Sequence, residues 1–163
     1  METFTKKTKT ILVDAERLAV SSKNQQLTPE HLLKVLLSES DTQYMQLVRD
    51  SGGNLENITV DLDAELNKLP KVMVEGQLKP LPTRPFQALI ALAKKTCKQS
   101  ERKLITPDDL LLSIAMTDDS ISSTILNKNG VSKTALKKKI EEKRQSESFD
   151  GNSLQDGQSA LIK

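Results

Sequence analysis

The residues that could carry out chemistry are few in this sequence, and none has the partner that catalysis requires. A single histidine, His31, and a single cysteine, Cys97, occur in the chain. One histidine cannot assemble a multi-histidine metal site, and no serine or cysteine has a plausible histidine base. No glycine-rich phosphate loop ending in lysine is present. The sequence therefore predicts a chain that is not itself an enzyme, with no catalytic residue, no metal site and no cofactor of its own.

The side chains that could take part in catalysis or bind a metal also have simple structural interpretations. His31 lies in the first turn of a predicted helix, where we expect it to be solvated. Cys97 aligns with Ala19 in the internal repeat described below, which favours a small core residue over a reactive thiol. Asp108–Asp109 and Asp118–Asp119 could attract a cation, but both pairs fall where the start of a helix favours acidic side chains. We therefore expect both pairs to be helix-start residues.

The charge balance and the apolar pattern restrict the classes of partner. Lysine plus arginine total 24 and aspartate plus glutamate total 22, for a net charge of +2, and only three phenylalanines and one tyrosine are present. That is too little basic excess and too few aromatic rings for a nucleic-acid surface. The basic cluster of Lys137–Lys139, Lys143 and Arg144 is expected to be the solvated face of the last helix. With no signal peptide and no membrane span, we expect a cytoplasmic protein that binds neither nucleic acid nor membrane.

The elements that position these residues belong to an internal repeat. Thr28-Pro29 and Thr106-Pro107 each have the form of a helix start, with threonine as N-cap and proline at the first helical position. The two pairs are 78 residues apart (106 minus 28). At that offset the apolar positions coincide without a gap: Ile11 with Leu89, Leu12 with Ile90, Ala15 with Ala93, Leu36 with Ile114, Gly52 with Gly130 and Leu62 with Ile140.

The apolar spacing of three and four residues within each copy predicts four helices. We expect an all-α fold of about eight helices, in which two tandem four-helix repeats pack as one pseudo-twofold domain over residues 1–144. Repeat 1 spans about 5–68, a connector 69–83, and repeat 2 about 83–144. Gly52 and Gly130 are expected to end the third helix of each repeat in the left-handed conformation. Residues 145–163 are expected to form a flexible linker.

Positions that are apolar in one copy and polar in the other indicate where the repeats meet or where a partner binds. This set pairs Phe86 with Thr8, Leu92 with Asp14, Leu112 with Lys34, Met45 with Ser123 and Ile121 with Gln43. On the helix expected over 84–99, Leu92 lies at the edge of the buried stripe. We expect Leu92 and part of Ile90 to form the wall of an exposed apolar groove. Leu112 and Ile121 are the next candidates.

Three stretches make the duplicated unit similar to a known domain: residues 26–37, the segment Ser51-Gly52-Gly53, and residues 105–112. Over about 1–144 the chain resembles the amino-terminal domain of Clp-type AAA+ unfoldases. Residues 66–72, followed by Gly76-Gln77, resemble the inter-repeat segment found in the ClpB disaggregases. Residues 159–163 are similar to the start of the segment that leads into the first ATPase module, which is absent here.

The resemblance implies a domain tethered above a homohexameric ring, where it binds exposed apolar segments of unfolded or aggregated proteins and helps deliver them to the ATPase. The alternative is a domain of the ClpA or ClpC type, which docks folded adaptor proteins for a protease. ATP and Mg²⁺ would belong to the parent protein's ATPase modules, and co-chaperone contacts to those modules as well. The isolated domain is expected to be a monomer.

The resemblance also implies site residues. A threonine near the amino terminus and acidic residues at the helix start of the second repeat match Thr5 and Asp108. A second acidic position of the family falls on Arg102. Apolar groove residues of the family match Ile90 and Leu92. With Phe86 from the comparison of the two copies, the predicted substrate-binding residues are Thr5, Phe86, Ile90, Leu92 and Asp108.

Overall fold

The computed structural model describes residues 3–38, 43–73, 76–118 and 120–157. Over these ranges the chain forms eight helices and one pair of two-residue strands. The helices are α1 (Lys6–Ser21), α2 (Pro29–Ser38), α3 (Gln43–Asp50), α4 (Leu55–Lys68), α5 (Arg84–Gln99), α6 (Pro107–Met116), α7 (Ile121–Lys128) and α8 (Lys133–Gly157). The strands β1 (Gln26–Leu27) and β2 (Leu81–Pro82) pair in parallel. The predicted all-α fold is confirmed.

The internal repeat sets the position of every helix. Helices α1 to α4 begin at residues 6, 29, 43 and 55, and α5 to α8 begin at 84, 107, 121 and 133, a constant difference of 78. Within each repeat the first helix packs along the second, as α1 on α2 and α5 on α6. Across the repeats, α2 contacts α6, α3 contacts α8 and α4 contacts α7. The two four-helix units are therefore related by a pseudo-twofold axis.

The core lies along the second helix of each repeat. Leu32, Leu33 and Leu36 of α2, and their counterparts Leu110, Leu111 and Ile114 of α6, have no exposed surface. Each buried leucine of this kind contributes on the order of 2 kcal/mol. The flanking helices α1 and α5 present one apolar stripe to this core, which includes Ile11, Ala15, Leu89, Ala93 and, as predicted, Cys97 at 3% exposure.

Two glycines meet on the pseudo-twofold axis. Gly52 and Gly130 have φ values of 98° and 97°, the left-handed conformation predicted for the end of α3 and α7. A Cβ atom on Gly130 would lie 2.5 Å from the carbonyl oxygen of Gly52, and the reciprocal distance would be 2.7 Å. Beside them, the backbone N–H of Asn54 donates to the Asn129 oxygen at 2.9 Å and that of Ser132 donates to the Ser51 oxygen at 3.1 Å. Glycine is required here for both conformation and close approach.

Short extended segments also cross between the repeats. The N–H of Ile105 donates to the Thr3 oxygen at 2.8 Å, and the N–H of Thr5 donates to the Ile105 oxygen at 3.1 Å. The counterpart in the other repeat is the N–H of Thr83, which donates to the Leu27 oxygen at 3.0 Å. The segment that leads into each repeat is therefore held by the other repeat.

The fourth helices of the two repeats differ in length. Helix α4 ends at Lys68, and Leu69 takes an extended conformation because Pro70 follows it. Helix α8 continues to Gly157, past residue 144 where the sequence analysis places the start of a linker. No proline occurs after Pro107, so nothing in the chain sterically ends α8 at that point. Residues 158–163 lie outside the described residues.

Candidate functional site

His31 is a buried structural residue, so the expectation of a solvated side chain is wrong. It has no exposed surface. The backbone N–H of Thr28 donates to His31 Nδ1 at 3.0 Å, so Nε2 carries the proton and donates to Asn24 Oδ1 at 2.9 Å. Burial lowers the pKa of His31 from 6.5 to about 4. The imidazole is neutral and closes the N-terminal turn of α2.

Asp109 occupies the equivalent position in α6 and confirms the helix-start interpretation. Its Oδ2 accepts from the backbone N–H of Thr106 at 2.9 Å, which completes a capping box. Arg102 donates to both carboxylate oxygens at 2.8 and 2.6 Å, and Arg144 adds a bond of 2.7 Å. Burial raises the pKa of Asp109, but the hydrogen bonds from Arg102 and Thr106 and the charge of Arg144 outweigh it, so the pKa is lowered. Asp109 is an ionised anchor for the loop that follows α5 and for α8.

Asp108, predicted to be a substrate-binding residue, is buried in the structure. Its side chain is 7% exposed, and Lys143 Nζ donates to its Oδ2 at 2.8 Å. The basic cluster is thus divided: Lys143 and Arg144 are tied to the two aspartates of α6, whereas Lys137 and Lys138 are exposed as expected. Asp108 Oδ1 is buried without a hydrogen-bond partner.

Thr5 lies at the same corner of the domain as the start of α6. It is half-buried as the N-cap of α1, where its Oγ1 accepts from the Thr8 N–H at 3.1 Å. Thr8 Oγ1 in turn donates to the Ile105 oxygen at 2.8 Å, the same oxygen that accepts from the Thr5 N–H. The structure therefore ties Thr5 to Ile105, which directly precedes the N-cap of α6, whereas Asp108 is buried in the first turn of that helix.

The apolar candidates on α5 and its neighbours have different degrees of burial. Phe86, predicted to contact substrate, is 7% exposed and part of the core, because it follows the Thr83 cap onto the inward stripe of α5. Ile90 is half-buried against the core, and Leu92 is half-buried. Of the two reserve candidates, Leu112 is 8% exposed, whereas Ile121 is 49% exposed.

Sequence reasoning missed the burial of Glu30, and it named Ile121 as a reserve candidate without locating the groove in which this residue lies. Glu30 is buried between the repeats, where Ser122 Oγ donates to its Oε2 at 2.7 Å and burial raises its pKa. A groove between α4 and α7 exposes Ile121 beside Asp61, Ala64 and Lys128. The substitution of Ile121 for Gln43 between the copies was the available signal for the groove. For Glu30 no local signal exists, because its partner is 92 residues away.

The described residues contain no group of three or more histidine, cysteine, aspartate or glutamate side chains placed to hold a metal ion. Within the same residues, the helices are too short or too polar to cross a bilayer. Asp119, one of the two residues of the second acidic pair, lies outside the described residues.

Comparison with known proteins gives consistent matches along the chain. The profile of the family described as the Clp repeat (R) N-terminal domain matches residues 3–129. The Chaperone protein ClpB of Brucella suis is 32% identical over 163 residues, and that of Rhizobium meliloti is 31% identical. Both alignments include the whole of this chain, but the chain spans only 18% and 19% of the length of these relatives.

Solved structures share the fold. The Hsp104 N-terminal domain from Candida albicans matches with a TM-score of 0.72 and 24% identity, covering 88% of this chain and 92% of that one. The N-terminal domain of the ClpV1 ATPase from E. coli matches with a TM-score of 0.62 and 19% identity, covering 83% and 82%. At these identities the similarity shows the fold alone.

Proposed function

The chain belongs to the Clp repeat N-terminal domain family, and we propose that it is the substrate-engaging domain of a ClpB-type protein disaggregase. The ClpB relatives that match along its whole length support this assignment. In this proposal the domain binds exposed apolar segments of unfolded or aggregated proteins. Nucleotide hydrolysis with ATP and Mg²⁺, assembly of the hexamer and threading of the substrate belong to the parts of the relatives that this chain does not span.

The observation that carries the proposal is the half-buried Leu92 on α5. Repeat 1 has Asp14 at the equivalent position, so the pseudo-twofold packing does not require an apolar side chain there. Ile90 lies two residues away and is also half-buried. A leucine that a bound apolar segment covers contributes on the order of 2 kcal/mol, or more than tenfold in affinity.

The other predicted residues act on this surface through packing. Thr5 caps α1 and is held to Ile105, directly before the start of α6. Asp108 ties the first turn of α6 to α8 through Lys143. Phe86 anchors the first turn of α5 in the core. We propose that Thr5, Asp108 and Phe86 are positioning residues and that Ile90 and Leu92 contact the substrate.

The test compares a substitution at the half-buried Leu92 with one at the exposed Val60 for their effect on binding an unfolded probe, reduced and carboxymethylated α-lactalbumin. Leu92→Ser should lower the affinity about tenfold while changing the melting temperature little. Val60→Ser, which removes an apolar side chain that is 66% exposed on α4, is the matched control and should leave the affinity unchanged.

Three results contradict the proposal. Equal loss of affinity in both variants would indicate nonspecific apolar adsorption. Loss of stability by several kcal/mol in Leu92→Ser would assign Leu92 to the core. Binding of a folded adaptor protein, with no binding of the unfolded probe, would favour the adaptor-docking function instead.

A further inference from the structure

The end of α1 is covered by the connector between the repeats. Lys71 forms an antiparallel bridge with Asn24, and the N–H of Val72 donates to the Lys23 oxygen at 2.9 Å. The Asn24 side chain also donates to the Pro70 oxygen at 3.4 Å. An extended stretch of chain is therefore docked on the turn that follows the first helix of repeat 1.

The equivalent turn after α5 has the same shape, but no segment among the described residues covers it in this way. Lys23 and its counterpart Glu101 both adopt the left-handed conformation, with φ values of 59° and 58°. The residues that correspond to 71 and 72 are 149 and 150, which lie within α8. In the part of the chain that the structure describes, no backbone N–H is donated to the Glu101 oxygen. No described residue pairs with repeat 2 at the place where repeat 1 docks an extended segment.

The two ends carry opposite charge patterns. At the end of α1, a cavity is lined by Glu16, Val20 and Lys23 on one side and by connector residues that include Lys79 on the other. At the end of α5, the equivalent positions are Lys94, Lys98 and Glu101, and they line a cavity of about 400 Å³ together with Thr3, Cys97, Arg102, Lys103 and Ile105.

Lysines dominate this second cavity. Lys94, Lys98 and Lys103 are exposed, and none of them forms an ion pair with a described residue. Arg102 also lines the cavity, but its guanidinium is already committed to Asp109. In repeat 1, glutamate faces a lysine-bearing segment across the cavity. The complementary segment for repeat 2 would be acidic.

We propose that the open end of α5 docks an extended acidic segment of another polypeptide, in the geometry that the connector uses on α1. The segment's backbone would pair with Glu101 and Arg102, and its carboxylates would meet Lys94, Lys98 and Lys103. This surface lies on the opposite side of α5 from Leu92, because two residues correspond to about 200° around the helix, but Lys94 is one turn from Ile90 and therefore adjoins that edge of the proposed substrate surface. The inference does not rest on the proposed function.

A polypeptide fits this surface better than a nucleic acid. The template in repeat 1 is held by backbone N–H and carbonyl groups, which a nucleic acid does not offer in this arrangement. Among the described residues, no aromatic side chain lines the cavity to stack on a base.

The test measures the anisotropy of a labelled peptide of alternating valine and glutamate against the whole chain. The double variant Lys94→Glu/Lys98→Glu should weaken binding about tenfold, since two exposed ion pairs are replaced by contacts between like charges. The control Lys137→Glu/Lys138→Glu makes the same charge change on exposed positions of α8 and should alter the affinity less than about twofold. Leu92→Ser should have no effect. In NMR titrations the amide signals of Glu101, Arg102 and Lys103 should shift.

Four outcomes would overturn the proposal: no binding of the acidic peptide, equal binding of a valine–lysine peptide, equal weakening by the two double variants, or binding without shifts at residues 101–103. A single-stranded oligonucleotide or a phosphatidylserine vesicle that displaces the peptide and depends on Lys94 and Lys98 would likewise contradict a polypeptide ligand.

Discussion

The two repeats perform the same local task with different chemistry. In repeat 1, His31 accepts a hydrogen bond from the N–H of the N-cap residue, Thr28, and in repeat 2 Asp109 accepts the equivalent bond from Thr106. The imidazole must be neutral to accept, whereas the carboxylate is ionised and also binds two arginines. The two repeats thus use different hydrogen-bond acceptors at the same position, and each repeat supplies the side chains that bind its own acceptor. Repeat 2 gains a charge network that repeat 1 lacks.

Removal of the carboxylate at Asp109 should have the largest effect on stability. Asp109→Asn leaves Arg102 and Arg144 without their shared partner, and we expect a loss of about 4 kcal/mol in the free energy of unfolding. Urea denaturation measures this change. Asp118→Asn is the control, because Asp118 is 87% exposed and pairs only with Lys133 among the described residues. Similar small losses in both variants would show that the buried network does not stabilise repeat 2.

A substitution of His31 should show that the acceptors of the two repeats affect the free energy of unfolding in different pH ranges. The pKa of His31 falls from 6.5 in the unfolded chain to about 4 in the folded one, so the unfolded state binds more protons between these values. The contribution of His31 to stability is complete above pH 6.5 and should decline by about 3 kcal/mol as the pH falls towards 4, whereas the raised pKa of Glu30 acts in the opposite direction in both the parent chain and a His31 variant. The lowered pKa of Asp109 contributes only at lower pH, as the pH falls below its ordinary value of 3.8.

The decline of the unfolding free energy from pH 6.5 towards pH 4 should be lost in His31→Gln, whose amide can still accept from Thr28. An unchanged slope in the variant would assign the pH dependence to other groups and contradict the buried, neutral imidazole.

Substitution of a glycine on the pseudo-twofold axis should lower stability more than substitution of a glycine in the connector. Gly130→Ala combines a left-handed φ with a Cβ that meets the Gly52 carbonyl, and we expect a loss of about 2 kcal/mol. Gly76 has a φ of 93° but nothing within 4 Å of a Cβ, so Gly76→Ala should cost about 1 kcal/mol. Thermal unfolding of both variants checks the difference. Equal shifts of the melting temperature in the two variants would show that the positive φ, and not the contact with the Gly52 carbonyl, determines the loss of stability.

Substitution of the N-cap threonines should have a small effect on the free energy of unfolding. Thr28→Ala and Thr106→Ala each lose a hydroxyl that accepts from the third N–H of its helix, at 3.4 Å in both repeats. We expect each to lower the denaturation midpoint by the equivalent of about 1 kcal/mol. If both midpoints stay unchanged, the cap assignments and the helix register drawn from them are wrong.

The sequence predicts the helices well because their signals are local. Threonine caps, first-turn prolines and apolar spacing recur at a constant offset, and the helix starts follow it throughout. The burial of Cys97 was predictable for the same reason, since Ala19 stands at the equivalent position. The fold class and the repeat could therefore be inferred from the chain alone.

The errors concern contacts between distant residues. His31 is buried because Asn24, held by Pro70 of the connector, closes over it. Asp108 is buried because Lys143, 35 residues later, lies against it. No periodicity within a helix reveals such partners. The binding roles of Thr5, Ile90 and Leu92 stay predictions for the same reason. The spacing of residues along the chain does not reveal which of them a ligand contacts.

Amide chemical-shift mapping of the domain, during titration with the unfolded probe, tests the central claim that repeat 2 carries the substrate surface. The account predicts that the shifts concentrate on α5 around Ile90 and Leu92, with smaller shifts near Thr5 and the start of α6, while the equivalent face of α1 around Asp14 stays unchanged. Shifts that concentrate instead on the groove between α4 and α7 around Ile121, or that appear equally on α1 and α5, would contradict it.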